Sequence, residues 1–343
     1  MARLVPLSIS SNFAPSLTFF RNKPNATGGS PVMAYVATNG VVNLVDPFSN
    51  INAGTPGAPV TLIGAPGKGN TTITASARPS IIAFDRWLII AWADMSGRMH
   101  IAGSEDGALF GNEVTWPATV TCLTGTGPCV TSYLNTTTNH VGLAVLWVAN
   151  TGGKPIHYTL GRFPETVPWS PAGNLGNDSS IDSLGASSLP QYPQPAQIAT
   201  AATYISWAGT DPAGGTLTFG QFVGGGSLDW RQVYDANLTG GQSVSHHGPA
   251  VTNVTNGGAI TLAYTGTDNH FRAFGSLNPP PLPQFNSNPN SRVRRKYDDT
   301  SNFSPALAVA DNGALFWAWT GTDGHPGSLN FQNDADMPSH IDL

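Results

Sequence analysis

The chain has 343 residues, a formal net charge of −5 and only 10% charged residues. This weakly acidic balance predicts no general attraction to nucleic acid, and the scarcity of charged helix formers disfavours a helical bundle. No apolar run approaches the roughly 20 residues that span a bilayer, and the first residues lack the apolar segment of a secretory signal, so we expect no membrane insertion.

One aromatic residue recurs inside short apolar runs at intervals of 55 to 60 residues. Its six positions are Tyr35, Trp92, Trp147, Trp207, Tyr264 and Trp319. Six such units account for nearly the whole chain, and a fixed period of this size is the signature of a repeat architecture.

Each unit predicts strands in the same chain order. A first strand follows a proline (Pro15, Pro79, Pro195, Pro249 and Pro305), and the second carries the recurring aromatic, in most units with aliphatic residues two and four positions before it. A short third strand follows a turn rich in Thr, Gly, Asp and Asn, and residues 59–65, 114–123 and 229–236 suggest a fourth. Four antiparallel strands repeated six times predict an all-β, six-bladed β-propeller that forms a single domain over residues 1–343.

The ends of the chain fit closure of this ring. The last unit shows a third strand with only a short tail after it, while Arg3–Ser10 precedes the first unit. We therefore predict that Arg3–Ser10 supplies the outer strand of the sixth blade, with Ser339–Leu343 as the alternative.

Two stretches interrupt the repeats, at residues 164–192 and 277–300. Both are predicted to be long loops between the third strand of one unit and the first strand of the next, and such loops are usually functional or mobile. The basic run at 292–296 is interpreted as part of a solvated loop.

The turns after the second strands carry acidic or amide residues: Asn39, Asp94, Asn150, Asp211, Asp268 and Asp323. Paired carboxylates serve glycoside chemistry, but the same Gly-Thr-Asp sequence recurs in three units. The repetition favours a side chain that accepts backbone N–H bonds in the turn.

The candidates for catalysis are His246, His247, His270, His325, Asp268 and Asp323. They are predicted to gather between blades four, five and six, where they would supply a general base or bind a divalent metal. No close ligand spacing supports a metal site, so exposed loop histidines are the alternative, and we expect neither a metal nor another cofactor.

A polar residue stands between apolar neighbours on every third strand: Asn43, His100, His157, Thr218, Arg272 and Asn330. Solvent-facing strand positions would look like this, and so would pockets between blades in a multivalent sugar binder. Arg78 and Trp169 are further candidates for ligand binding. We interpret the recurring aromatics as interblade core, and Trp116, Trp169, Trp230 and Phe303 as better candidates for stacking on a sugar.

Cys122 and Cys129 flank a short loop. A disulfide that closes this loop and two free thiols both remain open at this point.

The units resemble those of bacterial and fungal repeat propellers, including tectonin-type and related sugar-binding propeller lectins. The residues that carry the resemblance are the Pro-Ala-apolar start and the Trp-x-Gly-Thr-Asp turn, best seen at 305–323. The Arg/Glu/Trp set expected of fucose-binding propellers is not repeated, and the Asp-box of sialidases is not matched.

The resemblance implies a propeller that binds a glycan or another small-molecule ligand at several positions, in an extracellular or cell-surface location. A glycoside hydrolase or polysaccharide lyase that uses the His/Asp cluster is one alternative. A protein-interaction scaffold that uses the two interruptions is another.

Overall fold

The computed structural model is an all-β ring of six sheets. It describes residues 9–22, 28–48, 57–64, 69–135, 138, 140–164, 169, 173–174, 184–186, 191, 203–209, 215–223, 227–232, 244–253, 260–276, 294–322 and 327–341. A short 3₁₀ helix spans Asp334–Asp336. No helix in this part of the chain has the length and apolar character needed to cross a membrane.

The strands are numbered β1 to β27 along the chain. Blade one contains β1 (Ser16–Phe20), β2 (Ser30–Val36), β3 (Val42–Val45) and β4 (Ala58–Pro59). Blade two contains β5 (Thr61–Leu62), β6 (Thr71–Thr72), β7 (Ser80–Phe84), β8 (Trp87–Ala93), β9 (Met99–Ser104) and β10 (Leu109–Thr115). Blade three contains β11 (Cys129–Asn135), β12 (His140–Val148), β13 (Ile156–Gly161) and β14 (Gly173–Asn174).

The second half of the chain continues the pattern. Blade four contains β15 (Gly185–Ala186), β16 (Thr203–Ala208), β17 (Gly215–Val223), β18 (Ser227–Gln232) and β19 (Val244–Ser245). Blade five contains β20 (Ala250–Asn253), β21 (Ile260–Thr265), β22 (His270–Ser276), β23 (Arg294–Thr300) and β27 (Ser339–Ile341). Blade six contains β24 (Ala306–Val309), β25 (Leu315–Thr320) and β26 (Leu329–Asn333).

The predicted six-bladed propeller is confirmed, although the sheets hold three to six strands rather than four in every blade. Blade two is the largest because β5 runs parallel to β10 and pairs with β6 at the outer edge. The segment predicted as one fourth strand at 59–65 is thereby divided between the outer edges of two neighbouring blades.

Alternation along each second strand buries both of its faces. In β8, Leu88, Ile90 and Trp92 pack toward blade one, whereas the intervening Ile89 and Ala91 pack toward blade three. Equivalent apolar clusters fill each junction between neighbouring blades. The inner strands contact one another in the order β1, β7, β11, β15, β20, β24 and back to β1, so the ring is closed.

The chain closes its own ring through residues near the amino terminus. Ser10 pairs antiparallel with Ser328, and the Leu329 N–H donates to the Ile9 carbonyl at 3.1 Å. The predicted closing strand is therefore present at its described end, while residues 3–8 lie outside the described residues. Ser339–Ile341, the alternative, instead pairs with β23 on blade five.

Two other strand predictions have different outcomes. Gly185–Ala186 pairs with β16 at the inner edge of blade four, and the segment after Pro195, where the sequence predicted this strand, lies outside the described residues. Residues 294–300 form β23 and not a loop, so Arg294, Arg295 and Lys296 belong to a sheet. A run of charges does not prevent a strand here, because the register pairs Arg294, Arg295 and Lys296 with β22.

Gln191 connects distant parts of the ring. Its side-chain amide accepts from the Arg21 N–H at 2.8 Å and donates to the carbonyls of Arg21 and Asp85 at 2.8 and 2.6 Å. This residue follows the inner strand of blade four, yet its partners belong to blades one and two. The interruption at 164–192 therefore contributes structural contacts.

A repeated Ser-x-(Phe/His)-x-Pro sequence leads into blades one, five and six at Ser11, Ser245 and Ser301. Each serine hydroxyl donates to the carbonyl near the end of the second strand of that blade, at 2.6 to 2.9 Å. Each also accepts the backbone N–H two residues later, at 2.9 to 3.2 Å. The motif fixes how the chain approaches each of these blades.

Cys122 and Cys129 are both free and buried, so the disulfide is not formed. Cys122 packs between blades two and three, and Cys129 between blades three and four. Burial raises the pKa of the Cys122 thiol to about 12 and that of the Cys129 thiol to about 11.

Candidate functional site

Each blade places its recurring aromatic directly opposite the polar residue of its third strand. The six cross-strand pairs are Tyr35–Asn43, Trp92–His100, Trp147–His157, Trp207–Thr218, Tyr264–Arg272 and Trp319–Asn330. All six lie close to the turn between the second and third strands. The aromatic of each pair packs toward the preceding blade. The ring therefore contains six equivalent interblade positions with different polar groups.

The aromatics at these positions are core residues and not exposed stacking surfaces. All six are almost fully buried, between 0% and 3% exposed. Asn43 and Asn330 are also buried, so a solvent-facing strand position does not describe them. The Asn330 amide donates to the Ser328 carbonyl at 3.1 Å, and its buried oxygen has no hydrogen-bond partner among the described residues.

The position in blade two is built around His100. The imidazole stacks nearly parallel on Trp92, with ring centroids 5.0 Å apart. Its Nε2 lies 3.1 Å from the Asp94 carboxylate, and its Nδ1 lies 2.8 Å from Glu113 Oε1 and 3.1 Å from Thr115 Oγ1. The imidazole of His100 thus lies between two carboxylates, one at each ring nitrogen.

Local backbone features aim both carboxylates at His100. Asp94 starts the turn after β8, where Oδ1 accepts the N–H groups of Ser96 and Arg98 at 2.8 and 3.0 Å, which is the turn-stabilising role expected from the sequence. Glu113 lies at a register shift between β9 and β10, next to Asn112 with φ 52°. Such a bulge redirects a side chain that regular alternation would point elsewhere.

The charges of this cluster support one another. Burial alone would lower the pKa of His100, but hydrogen bonds and charge interactions with Glu113 and Asp94 outweigh it and raise that pKa. The hydrogen bond with His100 lowers the pKa of Glu113. Burial opposes the same shift at Asp94, whose pKa is nevertheless lowered by hydrogen bonds from Ser96 and His100. The cluster therefore favours an imidazolium between two carboxylates.

The position in blade five reverses the charges of blade two: one carboxylate, Asp268, lies between two cations, Arg272 and Lys296. Arg272 makes a two-pronged contact with Asp268, at 2.5 Å to Oδ1 and 2.9 Å to Oδ2. Lys296 donates to the same Oδ2 at 2.9 Å. The hydrogen bond from Arg272, with that from Lys296, holds the pKa of Asp268 far below its usual range. A carboxylate held in this way does not act as a general acid.

The predicted histidine cluster is only partly within the described residues. His270 follows Asp268 in the blade-five turn, and its Nδ1 lies 3.1 Å from the Tyr297 carbonyl oxygen. His246 and His247 belong to the lead-in sequence of the same blade, and the His247 ring lies 6.3 Å from Phe303. Asp323 and His325 lie outside the described residues. Within the described part of the chain, no group of three His, Cys, Asp or Glu residues is placed to hold a metal.

The remaining positions are uncharged. His157 leans on Trp147 with ring centroids 5.5 Å apart, and burial lowers its pKa. Thr218 is half-buried opposite Trp207. In blade one the Asn43 amide donates to the Val41 carbonyl at 2.9 Å.

The other candidates for ligand contact occupy mainly structural places. Trp169 packs edge-on against Trp116 at 5.5 Å and covers Gly161, so both indoles belong to the border between blades two and three. Arg78 lies close enough to the Cys129 thiol to affect its pKa. Phe303 donates its N–H to Ser301 and accepts from Thr265. The Trp230 side chain lies outside the described part of the structure.

Glu113 and Lys296 are site residues that were not predicted from the sequence. Both lie on fourth strands, which are the least regular part of each unit, and both blades have a shifted register where the third and fourth strands pair. A search for charged residues 13 to 24 positions after each third-strand polar residue would have found them, because His100 is followed by Glu113 and Arg272 by Lys296.

Comparison with known proteins supports the fold. No family model and no curated protein sequence matches the chain. A solved structure of the Aleuria aurantia fungal lectin, described as a six-bladed β-propeller with a novel fucose recognition mode, matches with a TM-score of 0.51 and 10% identity. The alignment covers 94% of this chain and 96% of that chain.

Two further solved structures are similar to the same degree. The SapL1 lectin in complex with alpha methyl fucoside matches with a TM-score of 0.55 and 12% identity, over 98% of both chains. AofleA from Arthrobotrys oligospora matches with a TM-score of 0.54 and 8% identity, over 97% of this chain and 88% of that chain. The chain therefore shares the six-bladed propeller fold of the Aleuria aurantia lectin.

Proposed function

We propose that the chain is a carbohydrate-binding, lectin-like propeller whose ligand positions lie between neighbouring blades, near the turns between second and third strands. The observation that carries this proposal is the set of six aromatic–polar pairs at equivalent places around the ring. The likeness of the fold to fucose-binding lectins agrees with it.

Blade two offers the clearest position for a neutral sugar. Asp94 and Glu113 are about one third exposed, and His100 and Thr115 engage only Oε1 of Glu113, so its Oε2 is placed to accept a hydroxyl hydrogen bond from a ligand. Met95, 71% exposed in the same turn, presents an apolar surface for the C–H face of a sugar ring. Because His100 already holds both carboxylates in place, a ligand meets a preorganised site.

Calorimetric titration with fucose, galactose, mannose and N-acetylglucosamine tests the proposal. We expect at least one of these sugars to bind, and Glu113→Gln to weaken the blade-two position about tenfold, which corresponds to the loss of one charge-assisted hydrogen bond. Glu105→Gln is the matched control, since Glu105 is an exposed glutamate on the same blade that pairs with Arg86. No heat from any sugar, together with a blank glycan array, would refute the proposal.

A glycan-binding protein meets most of its ligands outside the cytosol, so we infer an extracellular or cell-surface location. Detection of the native protein in culture medium or on intact cells tests this. Confinement of the protein to the cytosolic fraction would contradict it.

A further inference from the structure

We propose that the interblade position of blade five takes an anionic saccharide, one that carries a carboxylate or a sulfate group. This inference rests on the proposed carbohydrate-binding function and adds a substrate class to one of its positions. Tyr264, Arg272 and Lys296 are cross-strand partners on β21, β22 and β23 and form the row of side chains on which this inference depends.

This row contains a pair of like charges. Arg272 and Lys296 are direct cross-strand partners, and like charges placed opposite one another destabilise a sheet. The same places in blade two hold His100 and Thr115, and those in blade three hold His157 and Asn174. Two permanent cations therefore face each other only in blade five among these three rows.

The two cations of this row share one counterion. Asp268 receives both Arg272 and Lys296 on one carboxylate, as described above. The Lys296 ammonium has three N–H donors, and its hydrogen bond to Asp268 Oδ2 uses one of them. Lys296 is 24% exposed and Asp268 39% exposed, so the ammonium can be reached from solvent.

The remaining donors of Lys296 indicate the kind of ligand group that this position would bind. An ammonium with remaining donors favours an anionic oxygen, because a charge-assisted hydrogen bond is about twice as strong as a neutral one. Tyr264 is the cross-strand partner of Arg272, and its ring is stacked on that of Phe274 with the ring centroids 5.8 Å apart. The exposed carboxylates of blade two would repel the same ligand, so the two blades differ in the sign of the charge they present.

Calorimetric titration of the full chain with four probes tests the inference. The probes are galacturonic acid, its neutral methyl ester, galactose 6-sulfate and galactose. We expect the two anionic sugars to bind at least tenfold more tightly than their neutral counterparts, with 0.5 M salt removing most of the difference. The carboxylate and sulfate arms show which anion the position prefers.

Two variants assign the effect to this position. Lys296→Gln should remove the preference for anionic sugars. Arg295→Gln removes the same charge from the next residue of β23, but Arg295 is turned toward Asp334 at 3.7 Å, so this control should keep the preference. Equal losses in both variants would indicate a general charge effect and would overturn the inference.

A third variant works in the opposite direction. Asp268→Asn removes the internal counterion, so the affinity for galacturonic acid should rise at least threefold. A cluster with a purely structural role predicts a lower melting temperature and no change in affinity, which would overturn the inference. Neutral sugars that bind while anionic sugars gain nothing would also overturn it and leave the proposed function standing. Failure of all four probes and of the neutral panel would refute both.

Discussion

His100 shows how neighbouring charges set the behaviour of one side chain. A buried histidine normally loses its proton because a low-dielectric environment disfavours the charged form. Here Asp94 and Glu113 accept from the two ring nitrogens, and the pKa of His100 is raised instead. His157 occupies the equivalent place in blade three, and burial lowers its pKa. Two histidines at matching positions should therefore respond to pH in opposite ways.

We predict that His100→Gln destabilises the protein most between about pH 4.5 and 6.5. A raised folded-state pKa gives His100 a stabilising contribution that is complete below its unfolded value and lost as the pH rises. The carboxylates, whose pKa values are lowered, lose their contribution as the pH falls. We expect a difference of about 1 kcal/mol in the free energy of unfolding, since both carboxylates are partly exposed. Urea unfolding followed by tryptophan fluorescence across this range measures it.

His157→Gln is the matched control for this prediction. Its lowered pKa gives a contribution that is present above the unfolded value and lost as the pH falls, so its profile should slope the opposite way. Parallel profiles for the two variants would show that the carboxylates around His100 do not hold its proton.

At the scale of strands, a pair of glycines in blade two separates packing from backbone effects. Gly103 on β9 and Gly111 on β10 are direct cross-strand partners. A Cβ atom built on Gly103 would overlap the ring of Phe163, whereas one on Gly111 meets nothing within 4 Å. Phe163 is itself fixed edge-on against Trp87 at 5.2 Å. Phe163 is also buried, at 6% exposed.

We predict that Gly103→Ala lowers the free energy of unfolding by about 1 to 3 kcal/mol, because the added methyl group overpacks the border between blades two and three. Gly111→Ala should change it by no more than about 0.5 kcal/mol, or raise it slightly by restricting the unfolded chain. Thermal unfolding of the two variants compares them directly. Equal losses would mean that glycine is needed for backbone reasons in both strands.

The strands also show what sequence could and could not predict. The six aromatics and their period-two neighbours indicated the second strands, because burial of both faces leaves a strong apolar pattern. The inner strand Gly185–Ala186 has no bulky apolar residue and no preceding proline, so nothing local marked it. Glu113 was missed for a different reason: a bulge places it beside His100, and a bulge depends on the pairing of two strands rather than on either sequence alone.

At the scale of the whole molecule, the ring is closed without a covalent bond in blade six, where residues 9–11 pair with residues 327–329 before the chain continues into blade one. Thr320 at the end of β25 donates its hydroxyl to the Phe13 carbonyl at 2.8 Å, across the junction where the beginning and the end of the chain meet. Thr265 at the end of β21 makes the same bond to the Phe303 carbonyl at 2.6 Å, where the chain runs on from one blade to the next. One chemical contact thus serves a closing junction and a continuous one.

We predict that Thr320→Val and Thr265→Val each lower the free energy of unfolding by about 1 to 3 kcal/mol, because each leaves a carbonyl without its donor. They should differ in local opening. Thr320→Val should speed hydrogen exchange in β1 and β24 to β26, since blade six is joined to the segment that leads into blade one by hydrogen bonds between residues 9–11 and 327–329 and not by a chain connection, whereas Thr265→Val should leave exchange in β1 unchanged. Mass spectrometry of exchanged peptides measures this, and identical exchange maps would argue against a weak point at the closure.

The division of labour within each aromatic–polar pair bears on how such a ring diversifies. The buried aromatic side chain packs between neighbouring blades. Its partner on the third strand differs in charge from one blade to the next and is an imidazolium, a guanidinium or an amide. If these positions bind sugars as proposed, single codon changes at the partner would alter selectivity without rebuilding the core. A surface coated with mixed saccharides would then be held through several weak, dissimilar contacts at once, and the resulting avidity would exceed that of any one of them.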